Sequence, residues 1–207
     1  MKAIAAALVA GVVAGAASAA APGVSLQIKP KAIEYGQTVT LKGRISSGRA
    51  GAEVLVHAHS CHFTKAAVVR KLKTGKHGSY SFRIGPTLRT AYSVSWAKRT
   101  SRQISVGVAP QMTLYKSGAN GFLVGVTAGN GATFEGKHAL LQRLVRGKWR
   151  TIGTASLTLT SDPNELNATS TGTVKVHVPH GAKLRAALPL SQARPCYLSG
   201  TSGVLVA

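Results

Sequence analysis

The sequence has 207 residues, with 26 Lys and Arg against 5 Asp and Glu, and a formal net charge of +21. So few carboxylates argue against glycosidase acid pairs, acid-rich calcium loops and a buried Asp that orients a catalytic His. We therefore expect a protein that is not an enzyme and uses no cofactor. A surface with this charge attracts polyanions by electrostatics alone.

Residues 1–21 have the pattern of a secretory signal peptide: Lys2, an apolar run over 3–17, and the small residues Ala17, Ser18 and Ala19. The apolar run is too short and too rich in Ala and Gly to hold the chain in a bilayer. We expect an exported protein without a transmembrane segment, secreted or associated with the cell wall. Loss of Lys2 leaves a formal charge of +20.

The chain after residue 21 alternates apolar and polar residues in short runs separated by Gly, Ser, Asn and Pro, which predicts an all-β sandwich with almost no helix. The pattern restarts after Pro110, so we place a boundary between Ala109 and Pro110, with domains at 22–109 and 110–207. The predicted strands are 24–29, 38–45, 53–59, 66–73, 79–84, 90–97 and 103–109, then 111–116, 122–128, 138–145, 149–159, 171–178, 183–188 and 202–207.

Two segments carry a family resemblance: YGQTVTLKGRISSGRAGAEVLVHA at 35–58 and GKHGSYSFRIGPTLRTAYSVSW at 75–96. They resemble the immunoglobulin-like or fibronectin-III-like modules of exported actinobacterial proteins. GKHALLQRLVRGKWRTIG at 136–153 resembles the partner module that often follows them. The resemblance implies two tandem immunoglobulin-like β-sandwich domains with a structural, adhesive or binding role at the cell surface. It implies no particular ligand.

Residues 54–63, VLVHAHSCHF, hold three histidines and one of the two cysteines. On a strand, Val56 and Ala58 would face the core, and His57 and His59 would face outward. A solvated sheet face is one interpretation and a metal site is another, with the candidate ligands His57, His59 and His62. A third is a hydrolytic centre with Cys61 as nucleophile, although no carboxylate lies nearby to orient a histidine.

The order of strands in an immunoglobulin-like sandwich suggests a partner for Cys61. The end of the third strand lies where the chain leaves the first domain. Cys196 lies in the loop before the last strand of the second domain, at that domain's entry end. We predict a Cys61–Cys196 disulfide at the junction, in an oxidising compartment. The alternatives are two free thiols or an intermolecular bridge.

Basic residues cluster in three segments, of which one, AKRTSRQ, holds Lys98, Arg99 and Arg102. Arg70, Lys71, Lys73 and Lys76 lie in VVRKLKTGKHG, and Arg143, Arg146, Lys148 and Arg150 flank Trp149 in RLVRGKWR. Each cluster is either a solvated edge strand or turn, or a binding patch for anionic wall polymer, acidic polysaccharide, anionic lipid or extracellular nucleic acid. Trp149 would add stacking or cation-π contact. Nothing in the sequence resembles a motif for sequence-specific nucleic-acid recognition, and we expect a monomer.

Overall fold

The computed structural model describes residues 23–129, 132–161 and 167–207. The predicted signal peptide lies outside the described residues. The predicted all-β fold is confirmed: within the described ranges, helix is limited to a 3-10 turn at Lys76–Gly78 and a single turn, α1, at Leu190–Ala193. The strands are β1 (Gln27–Lys29), β2 (Ala32–Glu34), β3 (Val39–Arg44), β4 (Glu53–Ser60), β5 (Ala67–Lys73), β6 (Ser79–Ile84), β7 (Thr90–Trp96), β8 (Arg99–Thr100), β9 (Ile104–Ala109), β10 (Gln111–Lys116), β11 (Gly121–Gly129), β12 (His138–Val145), β13 (Lys148–Ser156), β14 (Thr158–Leu159), β15 (Asn167–Lys175), β16 (Lys183–Leu188), β17 (Gly200–Thr201) and β18 (Leu205–Val206).

The strands of the described residues form four sheets, two in the part up to Ala109 and two in the part from Pro110 onward. In the first half the orders are β1-β3-β6 and β2-β9-β7-β4-β5, with β8 paired to β7. In the second half they are β10-β11-β15-β14 and β13-β12-β16-β17, with β18 paired to β16. Among the described residues, no strand ladder joins the two halves. The change of partners coincides with the boundary expected from the sequence, and the independence of the halves as domains stays a prediction.

Alternation along the strands explains where the core lies. In β4, every second residue from Val54 to Ala58 is buried, whereas the residues between them are half-buried or exposed. β3 follows the same rule, with Val39 and Leu41 buried. The buried side chains of each strand therefore share one face of the sheet, and this face packs against a neighbouring sheet to form the core, as in a β-sandwich.

Two predicted strands are interrupted. The predicted 149–159 strand changes sheets at the buried Leu157, because its first part pairs with β12 and its last two residues pair with β15. Of the predicted 202–207 strand, only Leu205–Val206 (β18) is a strand, and the short β17 precedes it at Gly200–Thr201. There the Ser202 hydroxyl accepts a hydrogen bond from the Ala186 backbone N–H at 2.9 Å and donates to the Gly203 carbonyl at 2.8 Å.

Two strands in the first half were not predicted: β2 and the two-residue β8, which pairs with β7. β2 has only three residues and pairs in parallel with β9, with Ile33 opposite Val108. A three-residue segment is too short to display a period of two, and its partner lies far away along the chain. Within the described residues, no helix is both long enough and apolar enough to cross a membrane.

Candidate functional site

The histidines of β4 lie on the outward face, as predicted from the alternation. Val54, Val56 and Ala58 are buried. His57 is half-buried, and its Nε2 lies 2.7 Å from the Ser95 hydroxyl on β7. His59 is exposed, and its Nε2 lies 2.8 Å from the Phe63 carbonyl oxygen. Each imidazole thus already has a hydrogen-bond partner in its own part of the sheet.

The predicted disulfide between Cys61 and Cys196 is present, with 5.5 Å between the two Cα atoms. It joins the turn after β4 to the segment between α1 and β17. Backbone bonds run beside it: Arg89 N–H donates to the Cys196 carbonyl at 3.0 Å, and Leu198 N–H donates to the Val108 carbonyl at 2.8 Å. The bridge therefore belongs to a wider set of contacts between the two halves of the chain.

The three histidines proposed as metal ligands are not brought together. His62 lies beside the disulfide, where one of its ring nitrogens and the two sulfurs lie within 4.8 Å of one another. His57 and His59 do not belong to this group. Both sulfurs are bonded to each other, so neither offers a thiolate to a metal ion or to a substrate while the bridge is intact.

The basic residues of β5 are distributed over different surfaces. Arg70 is paired with the buried Val56, and its guanidinium lies over the Phe82 ring at 5.4 Å. Lys71 and Lys73 are paired with Leu55 and Glu53, on the other face of the strand. β5 is an edge strand, and an inward-directed Arg is a recognised protection against edge-to-edge pairing. This arrangement favours the protective interpretation of Arg70.

The basic cluster around Trp149 occupies the β12–β13 hairpin. Arg146 and Gly147 form its two-residue turn, both with positive φ, at +49° and +75°. This backbone matches the right-handed twist of a tight hairpin. The register places Arg143 directly opposite Arg150, with Lys148 opposite Val145. The hairpin thus gathers the four cations at one end of the sheet.

Trp149 already has a cationic partner from outside its own segment. The guanidinium of Arg185, on β16, lies 4.4 Å from the centroid of the indole ring. The Arg185 Nε–H donates to the Gln142 side-chain oxygen at 2.9 Å, which fixes the guanidinium over the sheet. The cation-π contact of Trp149 is thus made with a residue of the protein itself, and Arg185 was not among the residues that the sequence singled out.

A second basic surface, on the outer face of β3, was not predicted from the sequence. Lys42 and Arg44 are exposed on the outer face of β3, next to the hydroxyl and amide side chains of β1 and β6. Lys42 and Arg44 lie two residues apart on β3, whereas the polar side chains beside them come from β1 and β6, far away in the sequence. No local cluster marks them, and only the register of the three strands brings them together.

Buried phenols pack near these surfaces without titrating at neutral pH. Burial raises the pKa of Tyr92 and of Tyr197 to about 12, and it raises the pKa of Tyr80 further. Tyr197 follows Cys196, and its hydroxyl accepts a hydrogen bond from the Gly129 N–H at 3.1 Å. These groups act as neutral packing and hydrogen-bonding elements.

Comparison with models of known protein families gives no match, and no curated protein matches the sequence.

Proposed function

We propose that the protein is an exported, non-enzymatic binding protein of two tandem immunoglobulin-like modules that captures anionic polymers at the cell envelope or outside the cell. The observation that carries the proposal is the cation-rich β12–β13 hairpin, in which Arg143 and Arg150 lie directly opposite each other. Capture of this kind would serve an adhesive or structural role.

Like charges at directly opposite positions destabilise a sheet, because the two side chains start from Cβ atoms only about 5 Å apart. Arg146 and Lys148 add further positive charge at the same end of the hairpin. A sulfate, phosphate or carboxylate bound between the guanidinium groups would turn this repulsion into attraction, with bidentate hydrogen bonds. Binding of an anion would therefore relieve the charge repulsion that is present at this hairpin in the isolated protein.

The surroundings of the histidines and cysteines support a binding role over a catalytic one. His57 is hydrogen-bonded to Ser95, His59 to the Phe63 carbonyl, and Cys61 is held in a disulfide. A nucleophilic mechanism would need a free thiolate and a carboxylate or amide to orient a histidine. The disulfide also supports export, since such bridges persist mainly in oxidising compartments.

The test is binding of dextran sulfate to the double variant Arg143→Gln/Arg150→Gln, measured by calorimetry at low salt. We expect affinity to fall by about tenfold, since charged hydrogen bonds to both guanidinium groups are lost. The control is Lys116→Gln/Lys175→Gln, which removes the same formal charge from exposed positions on β10 and β15. Equal affinity of the hairpin variant and this control would contradict the proposal.

A further inference from the structure

We propose that the outer face of the three-stranded sheet β1-β3-β6 is a second binding site and that its ligand is an acidic polysaccharide. The inference rests on the proposed function, because it names the class of polymer that is captured. It uses a surface separate from the β12–β13 hairpin, so each site is tested by its own variants.

The strand register assembles this face from three segments. Gln27 on β1, Lys42 on β3 and Ser81 on β6 are cross-strand neighbours and form one polar row. In the adjacent row, Arg44 is opposite Ser79. All of these side chains alternate with buried residues such as Leu41, so they point away from the core.

The row on the other side of Lys42, away from Arg44, also combines cations with a neutral polar residue. Lys29, Thr40 and Arg83 are neighbours across the same three strands. Arg83 donates one N–H to the Thr38 hydroxyl at 3.1 Å, which leaves its other donors for a ligand. Cations and neutral hydrogen-bonding groups therefore alternate over the face, without an acidic residue in any of the three rows.

The end of this face near Arg44 is concave. A groove of about 630 Å³ is lined there by residues that include Lys42, Arg44 and Lys73, the last of which comes from β5 at the edge of the other sheet. None of the residues lining the groove is acidic. Ser25, Gln27, Ser79 and Ser81 are among its neutral polar side chains. Three cations from two sheets, Lys42, Arg44 and Lys73, therefore line the same groove.

This arrangement fits a charged glycan better than a nucleic acid. Successive outward residues on β3 are about 6.6 Å apart, so Lys42 and Arg44 can engage different acidic groups of one linear chain. Hydroxyl and amide groups between them can exchange hydrogen bonds with sugar hydroxyls. Binding of single-stranded nucleic acid relies on stacking of bases on aromatic rings. The aromatic residue of the groove, Tyr80, is buried, and its hydroxyl donates to the Ser25 carbonyl.

The experiment measures binding of polygalacturonate, dextran sulfate, neutral dextran and single-stranded DNA to the full chain and to Lys42→Gln/Arg44→Gln. We expect the wild type to bind both acidic glycans and not to bind neutral dextran. The variant should bind the acidic glycans about tenfold more weakly. Lys116→Gln/Lys175→Gln, with the same loss of charge, should retain wild-type affinity.

Two results would overturn the inference: glycan affinity of the Lys42→Gln/Arg44→Gln variant equal to that of the control, or single-stranded DNA bound more tightly than both glycans with the same dependence on Lys42 and Arg44. The hairpin variant separates this failure from failure of the proposed function. If only Arg143→Gln/Arg150→Gln loses affinity, capture of polyanions stands and the sheet face is not a site.

Discussion

Removal of the disulfide should destabilise the protein by an amount set by its long loop. Cys61 and Cys196 are 135 residues apart. The chain-entropy model assigns about 5 kcal/mol to closing a loop of this length in the unfolded chain. Cys196 is only 2% exposed, so the variant Cys61→Ala/Cys196→Ala avoids burying a new hydroxyl group. The backbone bond from Arg89 to the Cys196 carbonyl remains available to hold the native junction.

The assay is equilibrium urea unfolding followed by tryptophan fluorescence. With an m value of about 2.5 kcal/mol/M, the midpoint of the variant should lie about 2 M below that of the wild type. Its m value should rise, because the unfolded chain without the bridge is more expanded. Wild type reduced with dithiothreitol is the control and should behave as the variant does. A variant midpoint equal to that of the oxidised wild type, or two free thiols in the native unreduced monomer, would refute the reasoning.

Two further predictions concern the buried phenols and the edge strand. Unfolded tyrosines ionise near pH 10, whereas Tyr92 and Tyr197 ionise at about 12 in the folded protein, so their stabilisation is complete below pH 10 and is lost as the pH rises toward 12. The melting temperature should fall over this range, and less steeply for Tyr92→Phe; equal slopes would contradict the assignment. Arg70→Thr removes the inward-directed cation from the edge strand β5, on which Val68 and Val69 are already exposed in the wild type. Light scattering should therefore detect greater self-association of this variant than of the control Lys116→Thr. Identical masses for the two variants at high concentration would count against a protective role.

The period-two alternation made the fold accessible from the sequence. Val56 and Ala58 were placed in the core by their spacing and apolar character, and the outward direction of His57 and His59 followed from it. The predicted β10, β12 and β16 have the bounds that the structure gives them. Strands that are neighbours in the chain, such as β12 and β13, are joined by short turns, and turn residues such as Gly147 mark these hairpins in the sequence.

Three features that were not predicted depend on residues that are distant in the sequence. β2 pairs in parallel with β9, and Arg185 reaches Trp149 across β12, with no local pattern to mark either contact. The cationic face of β1-β3-β6 needs the register of three strands, and its members Lys42 and Arg44 look like ordinary solvated residues on one strand. The Cys61–Cys196 pair was predictable because only two cysteines exist and strand order places both at the same junction.

The central claim is that cationic surfaces on a β-sheet scaffold capture anionic polymers by charge. Its most direct test is the dissociation constant of the wild-type protein with dextran sulfate between about 50 and 500 mM salt, because charge-driven binding releases counterions and weakens as salt rises. We predict that the logarithm of the association constant falls linearly with the logarithm of the salt concentration. An affinity that stays constant over this range, or no binding at the lowest salt, would contradict the account.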